Sequence, residues 1–519
     1  MNALAEALPP KPSYNQARQY FEYTAAYLDS EEAFLKTHSE LEREMEKRSR
    51  ELMRLLLQEH LDRRGPGQCK EPVKDSERVE RNRVRLQERK LETVFGTLSE
   101  MRAGYGVEGV ESLHPLDAEL NLPKERYSLE LRRRVAAEAA KNSFDETFES
   151  IKENTGGHIP KRQIEELVER SARDFDAFYR MRQCKPDTGE PTGALLVLSM
   201  DGKGVVMRTE DLREQTRKAA LASTHKMGTR LSKGEKKNAK RMATVAAVYT
   251  ICPFVRNPID VIAAGSSERS TARRPRPEQK RVWASLEKNP EQIVDEMFKE
   301  AFARDPAREK TWVALVDGNK TQIKVLRRMA KNKGVDLTII VDIVHVIEYL
   351  WKAGRTFYPE AGPQLEGWVQ HRLLEILHGK AGYMAGGMRR SATRKGASPK
   401  LREPVDVCAR YLLNHTPYLK YDRYLSLGLP IATGVIEGAC RHLIQDRMAV
   451  TGARWSLNGA EAVLKLRALR SSHDFDEYWA FHEAREYERN HKALYADGIV
   501  PHTVSPRRKK KRVRLSIIK

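Results

Sequence analysis

Three short apolar runs, each ending on an aspartate, limit what this chain can fold into. Ala194-Leu195-Leu196-Val197-Leu198-Ser199-Met200 stops at Asp201-Gly202, Trp312-Val313-Ala314-Leu315-Val316 stops at Asp317-Gly318, and Leu337-Thr338-Ile339-Ile340-Val341 stops at Asp342. Runs this short and this apolar read as strands buried in a sheet. Val205-Val206-Met207 reads as a return strand after an Asp-Gly turn, and Met242–Ile251 as a third strand. Between the later runs, Ile323, Leu326 and Met329 recur at helical spacing, and residues 278–304 also read as helix. Strands alternating with helices predict an α/β domain with a central sheet over residues 191–345.

The rest of the chain has a different texture. Residues 31–62 carry Leu41, Met45, Leu52, Leu55 and Leu56 at helical spacing, ended by Gly65-Pro66-Gly67. Residues 66–78 read as a linker, and Leu91 to Tyr105 as a possible short hairpin, so 1–126 forms an N-terminal region. Residues 127–190 are helical. Within them, Asn154-Thr155-Gly156-Gly157 separates two amphipathic stretches, with Pro160, Lys161 and Arg162 at the start of the second. That pattern is compatible with a helix-turn-helix that binds DNA, and equally with a helical hairpin that binds nothing. Residues 346–430 are mostly helical and contain Gly386-Gly387-Met388-Arg389-Arg390; residues 431–480 return as helix; 481–519 form a tail with the basic run Arg507–Arg512.

Charge narrows the partner. Of 519 residues, 93 are Lys or Arg and 72 are Asp or Glu, for a net charge of +21. A chain this long needs several domains, and one this basic points to a polyanion, with nucleic acid first. The basic segments are 225–241 (with Lys226, Arg230, Lys236 and Lys237), 389–402 (with Arg389 and Arg390) and the tail; each alone can also be a solvated charge run. Cys69, Cys184, Cys252, Cys408 and Cys440 are scattered, which argues against a disulfide framework and a cysteine zinc site. With no membrane-length apolar run and no signal-peptide pattern at Met1–Glu6, a reducing cytoplasm is expected.

Asp201 and Asp317 share one setting, a carboxylate closing a buried strand ahead of glycine. Such a group is rigid and open at the sheet edge, which suits a hard cation such as Mg²⁺. Asp-Gly is also an ordinary turn after any strand. A third acid, Glu437, lies in Thr433-Gly434-Val435-Ile436-Glu437-Gly438-Ala439-Cys440-Arg441, where an acid at a helix start has an electrostatic explanation of its own.

The segments LSMDGKGV around Asp201, VALVDGNK around Asp317, TIIVDIVHVIEYLWKAG around Asp342 and ATGVIEGACRHLIQDRM around Glu437 resemble a bacterial insertion-sequence DDE transposase of the ISKra type, related to the Mutator-like transposases. The resemblance spans roughly residues 90–480, with HPLDAELNLP and KRQIEEL upstream. It implies an α/β RNase H-like catalytic core interrupted by an all-helical insertion. It implies Asp201, Asp317 and Glu437 as the catalytic triad, holding two Mg²⁺ (or Mn²⁺) ions for DNA cleavage at element ends and strand transfer into target DNA. Asp342 and His345 resemble the Asp-x-x-His signature of the relatives and support the site; Asp342 is also a rival for the second catalytic place. Arg441, with Arg447, is a candidate for holding phosphate. The implied partners are double-stranded DNA, both terminal inverted repeats and target, and a second copy of the chain or a larger assembly. A bacterial cytoplasm, at the nucleoid when on DNA, is the implied location. Two other readings stay open: an RNase H-like nuclease that cuts without joining, and a non-catalytic DNA-binding relative.

Overall fold

A computed structural model describes residues 14–184, 192–222, 239–263, 274–450 and 452–504. Lys226, Arg230, Lys236, Lys237 and the run Arg507–Arg512 lie outside the described residues. The chain divides into two units, one built from Met1–Asp174 with Asp476–Lys519, the other from Phe175–Phe475. The first unit therefore takes its last helix from beyond the second. No described helix is long and apolar enough to cross a membrane.

In the first unit, helix α1 (Asn15–Leu28) precedes α2 (His38–Arg64). The helix expected from residue 31 is broken between Phe34 and Thr37. Thr37 and Glu40 form a capping box, with the Thr37 N–H donating to the Glu40 carboxylate at 2.8 Å, and this restarts the helix. The weak alternation after Leu91 belongs to a sheet larger than a short hairpin. Strands β1 (Arg83–Thr93), β2 (Gly96–Val107) and β3 (Val110–Leu113) pair antiparallel in that order. Residues Arg83–Leu86 of β1 are exposed throughout, which hides the strand from a hydrophobic reading. Helices α3 (Leu129–Ala139), α4 (Phe144–Asn154) and α5 (Lys161–Ser171) follow. Gly156 and Gly157, between α4 and α5, are pressed against the β1–β2 turn. A Cβ on Gly156 would sit 2.4 Å from the Phe95 carbonyl oxygen, and one on Gly157 2.8 Å from that of Thr93. These glycines are required by that backbone contact.

The second unit holds the central sheet: β4 (Leu195–Val206), β5 (Lys240–Ile251), β6 (Glu278–Ser285), β7 (Thr311–Val316) and β8 (Leu337–Val341). The spatial order is β6-β5-β4-β7-β8. Strand β5 runs antiparallel to both its neighbours, β4 and β6, while β4, β7 and β8 run parallel. The helices of this mixed α/β unit include α6 (Pro290–Arg304), α7 (Lys320–Lys333), α8 (Ile343–Gly354), α9 (Pro363–Leu377), α10 (Ala381–Arg394), α11 (Pro399–His415), α12 (Gly434–Ala439) and α13 (Leu457–Ser471). From 346 to 430 the secondary structure is entirely helical.

Two sequence expectations fail here, each for a tertiary reason. Residues 278–304 are a strand followed by a helix. β6 finds its place on β5, and Asn289 caps α6 by accepting from the Gln292 N–H at 2.9 Å. Asp201-Gly202 is not a turn: β4 runs through it, paired with β5 from Leu195↔Ile251 to Val206↔Lys240. A continuous ladder outweighs the turn preference of one dipeptide. Glycine at 204 serves the strand pairing instead, because a Cβ there would lie 2.9 Å from the Lys240 side chain.

A buried ion pair ties β6 to α6. Arg281 pairs with Glu300 and stacks over Tyr179 and Trp283, at 3.4 and 4.4 Å from their ring centroids. Burial alone would raise the Glu300 pKa, but Arg281 and Arg304 outweigh it and hold it down at about 2. A depressed carboxylate contributes stability that is complete above its ordinary pKa of 4.5 and is lost as pH falls toward 2. Thermal melts from pH 5 to pH 2 should therefore fall more steeply for the wild type than for Glu300→Gln. Parallel slopes would show that this pair carries no pH-dependent stability.

Candidate active site

The parallel register brings Asp201, Asp317 and Asp342 to one level. Leu195–Ser199 of β4 pairs with Thr311–Leu315 of β7, and Trp312–Val316 of β7 pairs with Leu337–Val341 of β8. Carried two residues further, the first register sets Asp201 beside Asp317. Carried one residue further, the second sets Asp317 beside Asp342. Neighbouring strands lie about 4.8 Å apart, so Asp201 is about one strand spacing from Asp317 and about two from Asp342.

Their surroundings differ. Asp201 sits where β4 leaves the core: Leu195–Met200 are buried and Asp201 is half-buried. Its Oδ1 accepts the Gly202 N–H at 2.6 Å and its Oδ2 accepts the Cys440 thiol at 3.3 Å. Burial, with Asp201 adding to it, pushes the Cys440 pKa up. Asp317 is half-buried at the end of β7, and its Oδ1 accepts the Asn319 N–H at 2.8 Å. Asn319 in turn caps α7.

Asp342 is fully buried and both its oxygens are engaged. Oδ1 accepts the Val344 N–H at 3.0 Å, capping α8, and the Thr433 N–H at 3.4 Å; Oδ2 accepts the Thr433 hydroxyl. The Ile343 N–H also donates to the Ile431 carbonyl at 3.0 Å. Residues 431–433 are thus fastened to the C-terminal end of β8, and α12 starts from there.

This attachment delivers Glu437. Helix α12 packs on β4 and β5, with Glu437 exposed. Burial raises the Glu437 pKa, and Asp342 and Asp201 raise it further, while His345 opposes them. Glu437, Asp201, Asp342 and His345 therefore share one electrostatic neighbourhood. His345 stands on α8, with Nδ1 4.0 Å from a Glu348 oxygen. Among the described residues, no Lys or Arg forms an ion pair with Asp201, Asp317 or Glu437.

The helix expected over 431–480 is interrupted after Met448: α12 passes through a wider π-helical turn, Cys440–Gln445, which sets Cys440 on Asp201, continues over Asp446–Met448, and the chain restarts as α13 at Leu457. Arg441 is exposed and its Nε lies 3.7 Å from Asp446. Arg447 is buried with its guanidinium 4.7 Å from the Trp455 ring centre, so it is a packing residue and not a free phosphate ligand. Arg389 lies 3.3 Å from Asp406, while Arg390 is exposed beside Tyr383. In the first unit Lys161 pairs with Asp145 at 2.6 Å, and Arg162 is 90% exposed.

A second acidic grouping lies in the first unit, where ligand atoms of Asp174, His482 and Glu486 lie within 4.8 Å of one another. Arg489 occupies it, donating to both Asp174 oxygens at 2.9 Å and to Glu486 at 2.6 Å. Its positive charge already fills the place a cation would take, so this is a structural ion network.

Sequence reasoning misses Thr433, Cys440, Tyr411 and His415. Thr433 and Cys440 flank Glu437, and proximity alone could have singled them out. Nothing in the spacing of Tyr411 and His415 points to Asp317, which is far away in sequence.

No protein-family profile matches this sequence, and no curated protein matches it. A solved structure, a Drosophila P element transposase strand transfer complex, aligns at 8% identity over 68% of this chain and 81% of that one, with a TM-score of 0.24. A score this low carries no argument about fold or chemistry.

Proposed function

We propose that this chain is a DDE-type DNA transposase. Its RNase H-like core would run from Leu195 to Val341 and close with α12, and the helices between 346 and 430 would be an insertion. What supports this reading is the β4–β7 register, which sets Asp201 beside Asp317, and the Cys440–Asp201 contact, which fastens the helix carrying Glu437 to β4, with no Lys or Arg ion-paired to the three acids among the described residues. A purely structural set of acids would be paired, as Asp174 is with Arg489.

Carboxylates without a basic partner suit a hard divalent cation. Asp201, Asp317 and Glu437 would hold Mg²⁺ (or Mn²⁺), which would supply an activated nucleophile and charge neutralisation at phosphorus. Asp342 and His345 act from behind, Asp342 by fastening the start of α12. At the element end, water attacks a phosphodiester and the bond to the departing 3′-oxygen breaks, leaving a 3′-hydroxyl. That hydroxyl then attacks a target phosphodiester and displaces a second 3′-oxygen. No covalent enzyme intermediate is required. The partners would be element-end and target DNA, held by two or more copies in a bacterial cytoplasm.

The test is a strand-transfer reaction with labelled element-end donor DNA, a supercoiled target and Mg²⁺. Joined donor–target product is expected, and its loss on chelation. Nicks or breaks without joining would favour a nuclease. DNA binding without any metal-dependent cleavage would favour a non-catalytic relative.

Lys161 and Arg162 open α5 and are our candidates for touching phosphate. Replacing both with Ala should weaken DNA binding several-fold at low salt and flatten the log Kd against log[salt] slope by about one for every phosphate no longer neutralised. An unchanged slope would remove α5 from the DNA interface.

A further inference from the structure

We infer that Tyr411 and His415, on helix α11 of the all-helical stretch, are positioning residues for Asp317. This rests on the reading of Asp317 as a metal-holding acid. The Tyr411 hydroxyl donates to the main-chain carbonyl of Asp317 at 3.0 Å. The His415 Nε2 lies 2.8 Å from the carbonyl oxygen of Gly318. Past the end of β7 these carbonyls have left the ladder, and backbone acceptors buried there need partners. Helix α11 offers the Tyr411 hydroxyl and the His415 Nε2 from one face, one turn apart; the His415 Nδ1 lies 2.8 Å from the Tyr411 carbonyl, so the tautomer protonated at Nε2 is the one that donates to Gly318.

The clasp is tight and supported from behind. Gly318 has φ +89°, a left-handed backbone. A Cβ there would meet the Tyr411 Oη at 2.8 Å and the His415 Nε2 at 3.2 Å. Glycine is thus required twice, by its backbone angle and by the two side chains closed over it. Tyr411 stacks on Tyr349 of α8 with ring centres 4.2 Å apart, and lies against His415 at 4.4 Å. Gripped at its own carbonyl and the next one, and tied through Oδ1 to Asn319, Asp317 has little freedom to turn its carboxylate away. A ligand held this way loses less entropy when a cation binds. The helical stretch therefore builds the second acid's geometry, whatever else it does.

The experiment is a calorimetric titration of the full chain with Mn²⁺, supported by thermal melts. Tyr411→Phe keeps the ring stack and deletes one donor. It should weaken Mn²⁺ binding about fivefold to tenfold, as expected for a missing hydrogen bond that orders a ligand. His415→Ala should weaken it similarly, and His415→Gln, whose amide can reach the Gly318 carbonyl, should recover most of the loss. Wild-type Mn²⁺ affinity in Tyr411→Phe and His415→Ala would overturn the inference. So would loss of affinity only in proportion to lost melting temperature, with no recovery in His415→Gln. Asp201→Asn and Asp317→Asn, titrated alongside, report on the underlying reading. If both bind Mn²⁺ as the wild type does, the acids are not the metal site, and that failure is read from those variants and not from Tyr411.

Discussion

Asp201→Asn should abolish cleavage and joining together, by on the order of a thousandfold or more, while the protein melts no lower than the wild type. The two halves of this expectation have separate causes. Asn keeps the shape of Asp but loses the charge that would hold a divalent ion, and a thousandfold loss corresponds to about 4 kcal/mol of barrier. Stability should hold because Asp201 has no basic partner to lose among the described residues. It stands near Glu437, whose pKa is raised by burial and by Asp342 and Asp201. Removing one of several like charges relieves repulsion. Activity and stability therefore move independently at this position, as measured by cleavage rate and thermal melt. A variant that stays active, or one that loses activity only because it unfolds, would count against Asp201 as a metal-holding acid.

Asp342→Ala should show the opposite pattern, with a large loss of stability. The carboxylate accepts from the Val344 N–H, the Thr433 N–H and the Thr433 hydroxyl inside a site with no solvent access. Alanine leaves three buried donors unmatched and removes the cap of α8, a cost of about 2–4 kcal/mol. Activity should fall as well, because Glu437 depends on the attachment of residues 431–433. Asp342→Asn retains an acceptor and should recover much of the stability. Should Asp342→Ala melt like the wild type yet lose all activity, Asp342 would be the second catalytic acid and Asp317 would not.

What is legible in the sequence follows from physics that acts locally. β7 and β8 are short, apolar and bounded by polar residues, so composition alone marks them. Asp317 and Asp342 at their ends follow directly. Asp201 is recognisable as a candidate, but its setting is not: Asp-Gly reads as a turn, and only the long ladder with β5 carries the strand through it. β6 is hidden because Glu278-Gln279-Lys280-Arg281 is polar, and its strand character comes from pairing with β5 and from burial of Arg281 against Glu300. Glu437 can be placed on a helix but not over β4, since that depends on Thr433 reaching Asp342. The roles of Tyr411 and His415 are wholly tertiary. Of the basic segments, 225–238 and the tail lie largely outside the described residues, while Arg389 is half committed to Asp406.

Whether Asp201, Asp317 and Glu437 share one metal site is tested most directly by anomalous scattering from crystals of the full chain grown or soaked with Mn²⁺. Mn²⁺ is expected between β4, β7 and α12, with oxygens of all three carboxylates at coordination distance, about 2.1 Å, and no peak at Asp174, His482 and Glu486. A Mn²⁺ ion bound instead by Asp342 and His345, or by the first-unit cluster, with the three acids left without metal, would contradict it.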